Sequence, residues 1–266
     1  MEWLTTHPSS SFPESERNEK DFSVLNNKFQ GMQPDIFAFQ EVDSKQAVEK
    51  VVGSSYHIYM SDRAQSRYKK QQFKDINQYT GLAISEQWQV TDPKDIELSP
   101  HSKLRFATYV VMKKDNQPDV HVLSVHLKQG CPAQKKSSQS CKEVDSQSKV
   151  LNKWMTERVK QDQAFVIMGD FNHDMSYRND WLWKQLSSGI ESDVTLLTQN
   201  IKANCEVKSN RNPNKLYRYP KVIDHMIVSK AQVQSPAKQI NYTRDEALNY
   251  RVSDHCPLMS TVKLSD

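Results

Sequence analysis

The chain predicts a mixed α/β fold in which two packed sheets are covered by helices. Three observations carry that reading. Short apolar strands recur along the 266 residues, separated by polar connections. Stretches of helical periodicity stand among them without a regular strand–helix alternation. No internal repeat and no Gly/Ser-rich linker divides the sequence, so residues 1–266 are expected to form one domain able to bury a sizeable core.

Residues 17–30 read as a helix, with Phe22, Leu25 and Phe29 on one face and Gly31 and Pro34 as stop signals. "DIFAFQEV" (35–42) follows as a short buried strand. "HIYMSD" (57–62), "TGLAIS" (80–85), "FATYVVMKK" (106–114) and "DVHVLSVHLK" (119–128) continue as strands. Val150, Leu151, Trp154, Met155 and Val159 form an apolar stripe on a helix over about 142–160. Then come the strand "FVIMGDFN", a short Trp-rich helix near 178–187, and the strands "KVIDHMIVS" (221–229) and "LMSTVKL" (258–264). Residues 63–78 and 188–220 read as long surface loops, which in a compact domain are usually functional or mobile.

Bulk properties exclude more than they assign. The balance of 36 basic against 32 acidic residues, +4 overall, suits a polyanionic partner without demanding one. No apolar run approaches the roughly 20 residues of a membrane span. "MEWLTTHPSSSFPE" lacks the charged start and apolar core of a signal peptide. Four cysteines form no CxxC or cysteine–histidine cluster of zinc spacing. Their even number, with one pair bracketing "CPAQKKSSQSC", suits two disulfides in an exported protein, against the alternative of four unrelated thiols. The expected pairs are Cys131–Cys141 and Cys205–Cys256. A periplasmic or secreted location follows, with a leader outside this sequence, and a monomer is expected.

Several polar signals lie at strand ends. Gln40–Glu41 closes "IFAFQE", His126 closes "VLSVHL", and Asp170 and Asn172 close "FVIMGDFN". Asp224–His225 opens "DHMIVS", and Asp254–His255 stands before the last strand. Taken singly, a strand-end carboxylate is usually a solvated charge and a lone histidine usually structural. Gathered at one mouth, carboxylates and histidines are what a hydrolytic metal site requires.

In this order, "QE", "SVHLK", "GDFN", "IDH" and "SDHCP" resemble the endonuclease/exonuclease/phosphatase superfamily, from about residue 35 to the C-terminus. The resemblance implies a four-layered α/β sandwich, with two central, mainly antiparallel sheets flanked by helices. It also implies a phosphoester hydrolase using Mg²⁺ or Mn²⁺. Glu41 would hold the metal, as a hard oxygen donor suits a hard cation, with Asp254 a further metal-side carboxylate. Asp170 and Asn172, expected to share a strand face, would activate water and bind the phosphate. His255 would contact the scissile phosphate, with Asp224 fixing its tautomer. His126 would protonate the leaving oxygen and Tyr79 would hydrogen-bond the phosphate. Gly169 would permit a close turn. The family's usual metal-positioning Asn would fall immediately before Met1: either the sequence starts one residue after it or the metal site is incomplete, and Glu2 is expected as a structural neighbour rather than a ligand.

Substrate class rests on two basic stretches, "RAQSRYKKQQFK" (63–74) and "RNPNKLYRYPK" (211–221). Arg63, Arg67, Lys69, Lys70, Arg218 and Lys221 are candidates for a phosphate backbone, and Tyr217 and Tyr219 for stacking on bases. Each stretch also fits a solvated charged loop. A nuclease is the leading expectation. A phosphomonoesterase of the inositol-phosphate type is the runner-up, ahead of a sphingomyelinase-like enzyme for which no exposed aromatic hairpin is evident. A binding protein on the same scaffold is disfavoured because Glu41, Asp170, Asn172, Asp224 and His255 are all present.

Overall fold

The computed structural model describes residues 2–7, 12, 15–209 and 211–264. Helix α1 (Glu19–Met32) opens with Asn18, whose side chain accepts from the amides of Lys20 and Asp21, while Asp21 returns a bond to the Asn18 amide. That capping box satisfies the first free N–H groups of the helix. Strand β1 (Ile36–Val42) leads to α2 (Lys45–Val52), then β2 (Tyr56–Met60), β3 (Tyr79–Ser85), β4 (Gln89–Thr91), β5 (Thr108–Lys113) and β6 (Val120–His126). The long helix α3 (Gln139–Lys160) precedes β7 (Ala164–Asp170) and α4 (Trp181–Ser187). Short strands β8 (Val194–Leu196), β9 (Glu206–Lys208) and β10 (Leu216–Arg218) follow. The chain closes with β11 (Asp224–Ser229), β12 (Ala231–Gln239), α5 (Arg244–Asn249) and β13 (Leu258–Leu264).

These elements form four layers. A three-stranded sheet, ordered β1-β3-β2, faces a six-stranded sheet ordered β4-β5-β6-β7-β11-β8. Leu82 and Ile84 from the first interlock with Val110, Val122, Val166 and Val228 from the second. Helices α1 and α2 cover the outer face of the small sheet through Phe22, Leu25, Val48 and Val51. Helices α3 and α4 cover the large sheet through Leu151, Trp154, Leu182 and Leu186. Pairing is antiparallel except between β6 and β7. The sandwich expected from the sequence is the one observed.

Several expectations change in detail. The 63–78 stretch is a folded turn system, with 3-10 segments at Asp62–Ala64 and Ser66–Gln71 wound around a buried Arg63. The 188–220 stretch carries β8, β9 and β10 and is no free loop. Strand β1, expected buried, is half-exposed over Ile36–Ala38 because it lies at the edge of its sheet. Strand β12 is polar and contains Pro236. Register shifts on both sides of Ser235 accommodate it, since proline in a strand is confined to edges and bulges.

Both disulfides are present. Cys131–Cys141 closes the loop after β6, and Cys205–Cys256 ties the segment before β9 to the turn before β13.

Candidate active site

Three strand ends build the site. In the parallel β6–β7 pair His126 lies opposite Asp170, and in the antiparallel β7–β11 pair Asp224 lies opposite Asp170. One rung therefore carries His126, Asp170 and Asp224 side by side. Gly169 makes the alignment possible, but not through a turn as its sequence context suggests. It sits inside β7 at φ 143°, where an added Cβ would meet the Val125 carbonyl oxygen at 2.1 Å. Only glycine lets β7 approach β6 this closely.

Asn172 joins Asp170 by a different route from the expected shared strand face. The strand ends at Asp170, and Asn172 adopts left-handed φ 51°, folding back on the carboxylate. Its backbone N–H donates to Asp170 Oδ1 at 2.6 Å, and its Nδ2 donates to Asp170 Oδ2 at 3.2 Å and to the Leu127 carbonyl at 3.1 Å. Asn172 thus fixes the carboxylate, and a phosphate oxygen would have to displace one of those bonds.

His255 reaches the rung from the turn before β13, with Nδ1 2.7 Å from Asp224 Oδ2. The Asp224 charge raises the His255 pKa to about 10, outweighing the opposing effect of burial. Burial works against ionised Asp224, yet the His255 imidazolium holds that carboxyl below its ordinary range. Asp170 behaves oppositely. Burial, reinforced by the neighbouring Asp224 charge, lifts it to about 7 despite the His255 charge and the Asn172 hydrogen bond. His126 lies beneath, 3% exposed, with Nε2 3.5 Å from Asp170 Oδ2 and Nδ1 without a hydrogen-bond partner among the described residues. Burial and the nearby Arg105 charge hold it neutral.

Around this rung stand the remaining candidates. Glu41 occupies a β-bulge between Phe39 and Val42 at φ 61°, and its charge acts on Asp170. Asp254 buries an Oδ1 that has no hydrogen-bond partner among the described residues, and its charge acts on His255. No group of three or more His, Cys, Asp or Glu side chains has metal-ligand spacing among the described residues. Hard oxygen donors arriving singly, one of them unpaired, fit Mg²⁺ or Mn²⁺ held by one or two carboxylates and retained water. Tyr79 pairs opposite Val42, next to Glu41, and is buried with the Arg63 guanidinium 4.9 Å from its ring centre.

Sequence reasoning missed Arg105. It stands within the fields of both Glu41 and Asp170 and donates to Gln78 Oε1 at 2.8 Å. Burial lowers its pKa while both carboxylates oppose that shift. Its only sequence signal was a cation just before the apolar run of β5, in "KLRFATYV". Also unforeseen were the inner anchors. His173 pairs with buried Asp180 at 2.8 Å, and the Met175 amide lies 3.1 Å from His225 Nε2. They hold the chain that leaves Asn172 and the strand that carries Asp224.

The proposed phosphate-backbone set is divided. Lys69, Lys70 and Lys221 are exposed. Arg63 is not available: it is 1% exposed and donates to the carbonyls of Gln71 and Gln78 and to Asn77 Oδ1. Arg218 is exposed but donates twice to Glu206 Oε1, at 2.6 and 3.1 Å. Tyr217 and Tyr219 are 48% and 39% exposed, edge to face at 5.0 Å, and Tyr219 lies within the field of Asp254.

A sandwich of two sheets between helical layers, with carboxylates and histidines gathered at one end of its strands, defines a four-layered α/β scaffold with a polar site at the strand ends. The chain belongs to the Endonuclease/Exonuclease/phosphatase family, whose sequence profile matches residues 9–255. Among solved structures, a family member from Bacteroides vulgatus superposes with TM-score 0.68 at 14% identity, covering 97% of this chain and 95% of its own. A mannosyl-6-phosphatase from Bacteroides thetaiotaomicron gives 0.63 at 15%, covering 98% and 97%. TDP2 from Caenorhabditis elegans gives 0.59 at 16%, covering 90% and 67%. At such identities the likeness is one of fold. A comparison with curated proteins found no significant match.

Proposed function

We propose that this protein is an exported, divalent-metal-dependent phosphoesterase that hydrolyses phosphodiester bonds by in-line attack of water, with nucleic acid as substrate. The observation that carries the chemistry is the His126–Asp170–Asp224 rung capped by His255. Asp170, lifted to about 7, is a base whose affinity for a proton suits neutral pH. Asn172 orients it toward the water. His255, kept protonated by Asp224, presents a cation to the phosphate oxygens, where charge gathers in the transition state. Glu41 and Asp254 are the residues that would hold Mg²⁺ or Mn²⁺, which when bound polarises the phosphate and neutralises its charge. Neutral His126 is poorly placed as an acid toward substrate and better placed as a partner of Asp170. Two disulfides, and no helix among the described residues long and apolar enough to cross a membrane, accord with export.

Exposed Lys69, Lys70 and Lys221, with the two tyrosines, support a nucleic acid substrate. Arg63, buried, and Arg67 and Arg218, paired with Asp62 and Glu206, favour a second reading, a small phosphomonoester, because they leave fewer unpaired cations for a phosphate backbone. A metal-supplemented screen with plasmid, single-stranded DNA, inositol phosphates and sugar phosphates separates the two. DNA cleavage that chelator abolishes and that weakens steeply with salt supports the first reading. Turnover confined to phosphomonoesters establishes the second, and turnover undiminished in excess chelator removes the metal from both.

A further inference from the structure

The chain that leaves β6 is pinned to α3 at two points. The Lys128 N–H donates to Gln147 Oε1 at 2.9 Å, and Cys131 is joined to Cys141 in the first turn of the helix. Its backbone carbonyls then accept, one after another, from the segment that leaves β7. Leu127 takes the Asn172 side-chain amide at 3.1 Å and Cys131 the Nδ1–H of His173. Pro132 takes the Asp174 N–H at 3.0 Å, and Ala133 the Trp181 Nε1–H at 2.7 Å. His173 is the centre of this seam. It is fully buried, its Nε2 lies 2.8 Å from Asp180 Oδ2, and the Trp181 ring stands edge to face with it at 5.2 Å. Asp180 in turn caps α4 through the Trp183 N–H. Both ring nitrogens of His173 face acceptors, so both donate.

Asn172 needs such a seam. Its left-handed φ of 51° is uncommon outside glycine and persists where the surrounding structure enforces it. That same conformation turns its N–H onto Asp170 Oδ1. We propose that the seam sets the catalytic geometry. His173 is a positioning residue that acts on Asp170 through Asn172, and the Cys131–Cys141 disulfide supports the rate by fixing the carbonyl that His173 grips. This role rests on the assignment of Asp170 as the base. One ring spans the loop carbonyl and Asp180, so the disulfide-closed loop, the exit of β7 and the start of α4 are held as a unit.

The test compares His173→Asn with His173→Gln in the full chain. By side-chain length, the Asn amide replaces the bond to the Cys131 carbonyl, and the Gln amide the bond to Asp180. Where both fold by circular dichroism, His173→Asn should keep kcat within about threefold of the parent, while His173→Gln loses about tenfold or more at unchanged KM. The acid limb of the His173→Gln pH–rate profile should move to higher pH, because the Asn172 N–H bond that favours ionised Asp170 is weakened. Hydrogen exchange of the Asn172 amide, read without substrate, should quicken about tenfold in His173→Gln and little in His173→Asn. A space-filling role predicts the opposite order, since Gln replaces more of the ring, and that order overturns the proposal. If a His173 variant does not fold, Trp181→Phe and the Cys131→Ser/Cys141→Ser double variant decide: each should lower kcat and quicken Asn172 exchange, and parent-like values of both overturn the seam. A parent that turns over no phosphoester with any metal removes the proposed function, and Asn172 exchange alone then decides for or against the seam.

Discussion

Two histidines serve one carboxylate rung, and they end in opposite states. His255 faces Asp224 at 2.7 Å, keeps partial access to solvent, and holds its proton to about pH 10. His126 lies 3.5 Å from Asp170, is closed off on all sides, and stays neutral beneath Arg105 and the His255 charge. Residue type is the same, and a carboxylate neighbours each. What differs is whether the carboxylate is ionised and hydrogen-bonded: Asp224 is held ionised by its partner, whereas Asp170 is lifted by burial and by Asp224 itself. At neutral pH a proton resides on His255, the histidine with the open side, while Asp170, at about 7, stands between its two forms. The proposed function accordingly gives the charged histidine to the phosphate and the neutral one to support.

The largest effect should come from removing the charged member. His255→Ala should lower kcat by about a hundredfold or more, since single losses of transition-state charge stabilisation are typically that costly. Its circular dichroism should remain that of the parent. A folded His255→Ala protein that turns over substrate at a near-normal rate would break the comparison at once.

Asp224→Asn is the next step down and tests the cause of the difference. The amide retains the shape of the site but not the charge that raises His255. The His255 pKa, followed by NMR of its ring protons, should fall toward its ordinary value of about 6.5. With it, kcat should drop by about tenfold at neutral pH and more at alkaline pH. If His255 titrates unchanged in this variant, Asp224 is not what distinguishes it from His126.

Much of this arrangement was legible in the sequence, and the illegible part has definite physical reasons. Asp170, Asp224 and His255 each stand where an apolar strand meets a polar neighbour, so each could be singled out locally. The rung could not be seen, because it depends on registers among β6, β7 and β11 that no local signal encodes. Asn172 was expected beside Asp170 by strand alternation and arrives there by a left-handed backbone instead. Arg63 shows the limit most clearly. Within "RAQSRYKK" it reads as one more solvated cation, yet two carbonyls, an amide oxygen and the Tyr79 ring hold it in the interior. Helix α2 carried visible signals, Ser44 at its N-cap and Gly53 at its C-cap, but its eight residues are too few for periodicity to announce.

A smaller effect should follow from His126→Gln, which keeps a polar side chain against Asp170. If His126 is a support, kcat should fall by about tenfold or less, without an acid limb appearing or vanishing in the pH–rate profile. A loss as large as that of His255→Ala, concentrated in substrates with poor leaving groups, would instead establish His126 as the proton donor and reverse its assignment.

The smallest effect, and the one that separates the two histidines most cleanly, lies in the pH dependence of stability in chelator. His255 has a folded pKa of about 10 against about 6.5 for a free histidine. Between those values the folded protein keeps a proton that the unfolded chain has released. The stabilising contribution of His255 is therefore complete below pH 6.5 and is lost as pH rises toward 10. His126 is displaced downward, so it contributes in the other direction and in another window. Below pH 6.5 the unfolded chain takes up a proton that the folded protein refuses, and stability falls as pH falls. Tm curves for the parent, His255→Gln and His126→Gln, recorded from pH 4 to 10, show each contribution as a difference, which for His255→Gln includes the shift its loss imposes on Asp224 and Asp170. The His255→Gln difference should fade between pH 6.5 and 10. The His126→Gln variant should gain on the parent only on the acid side. If both differences fall in the same window, the two histidines share one environment and the division of charge between them is wrong.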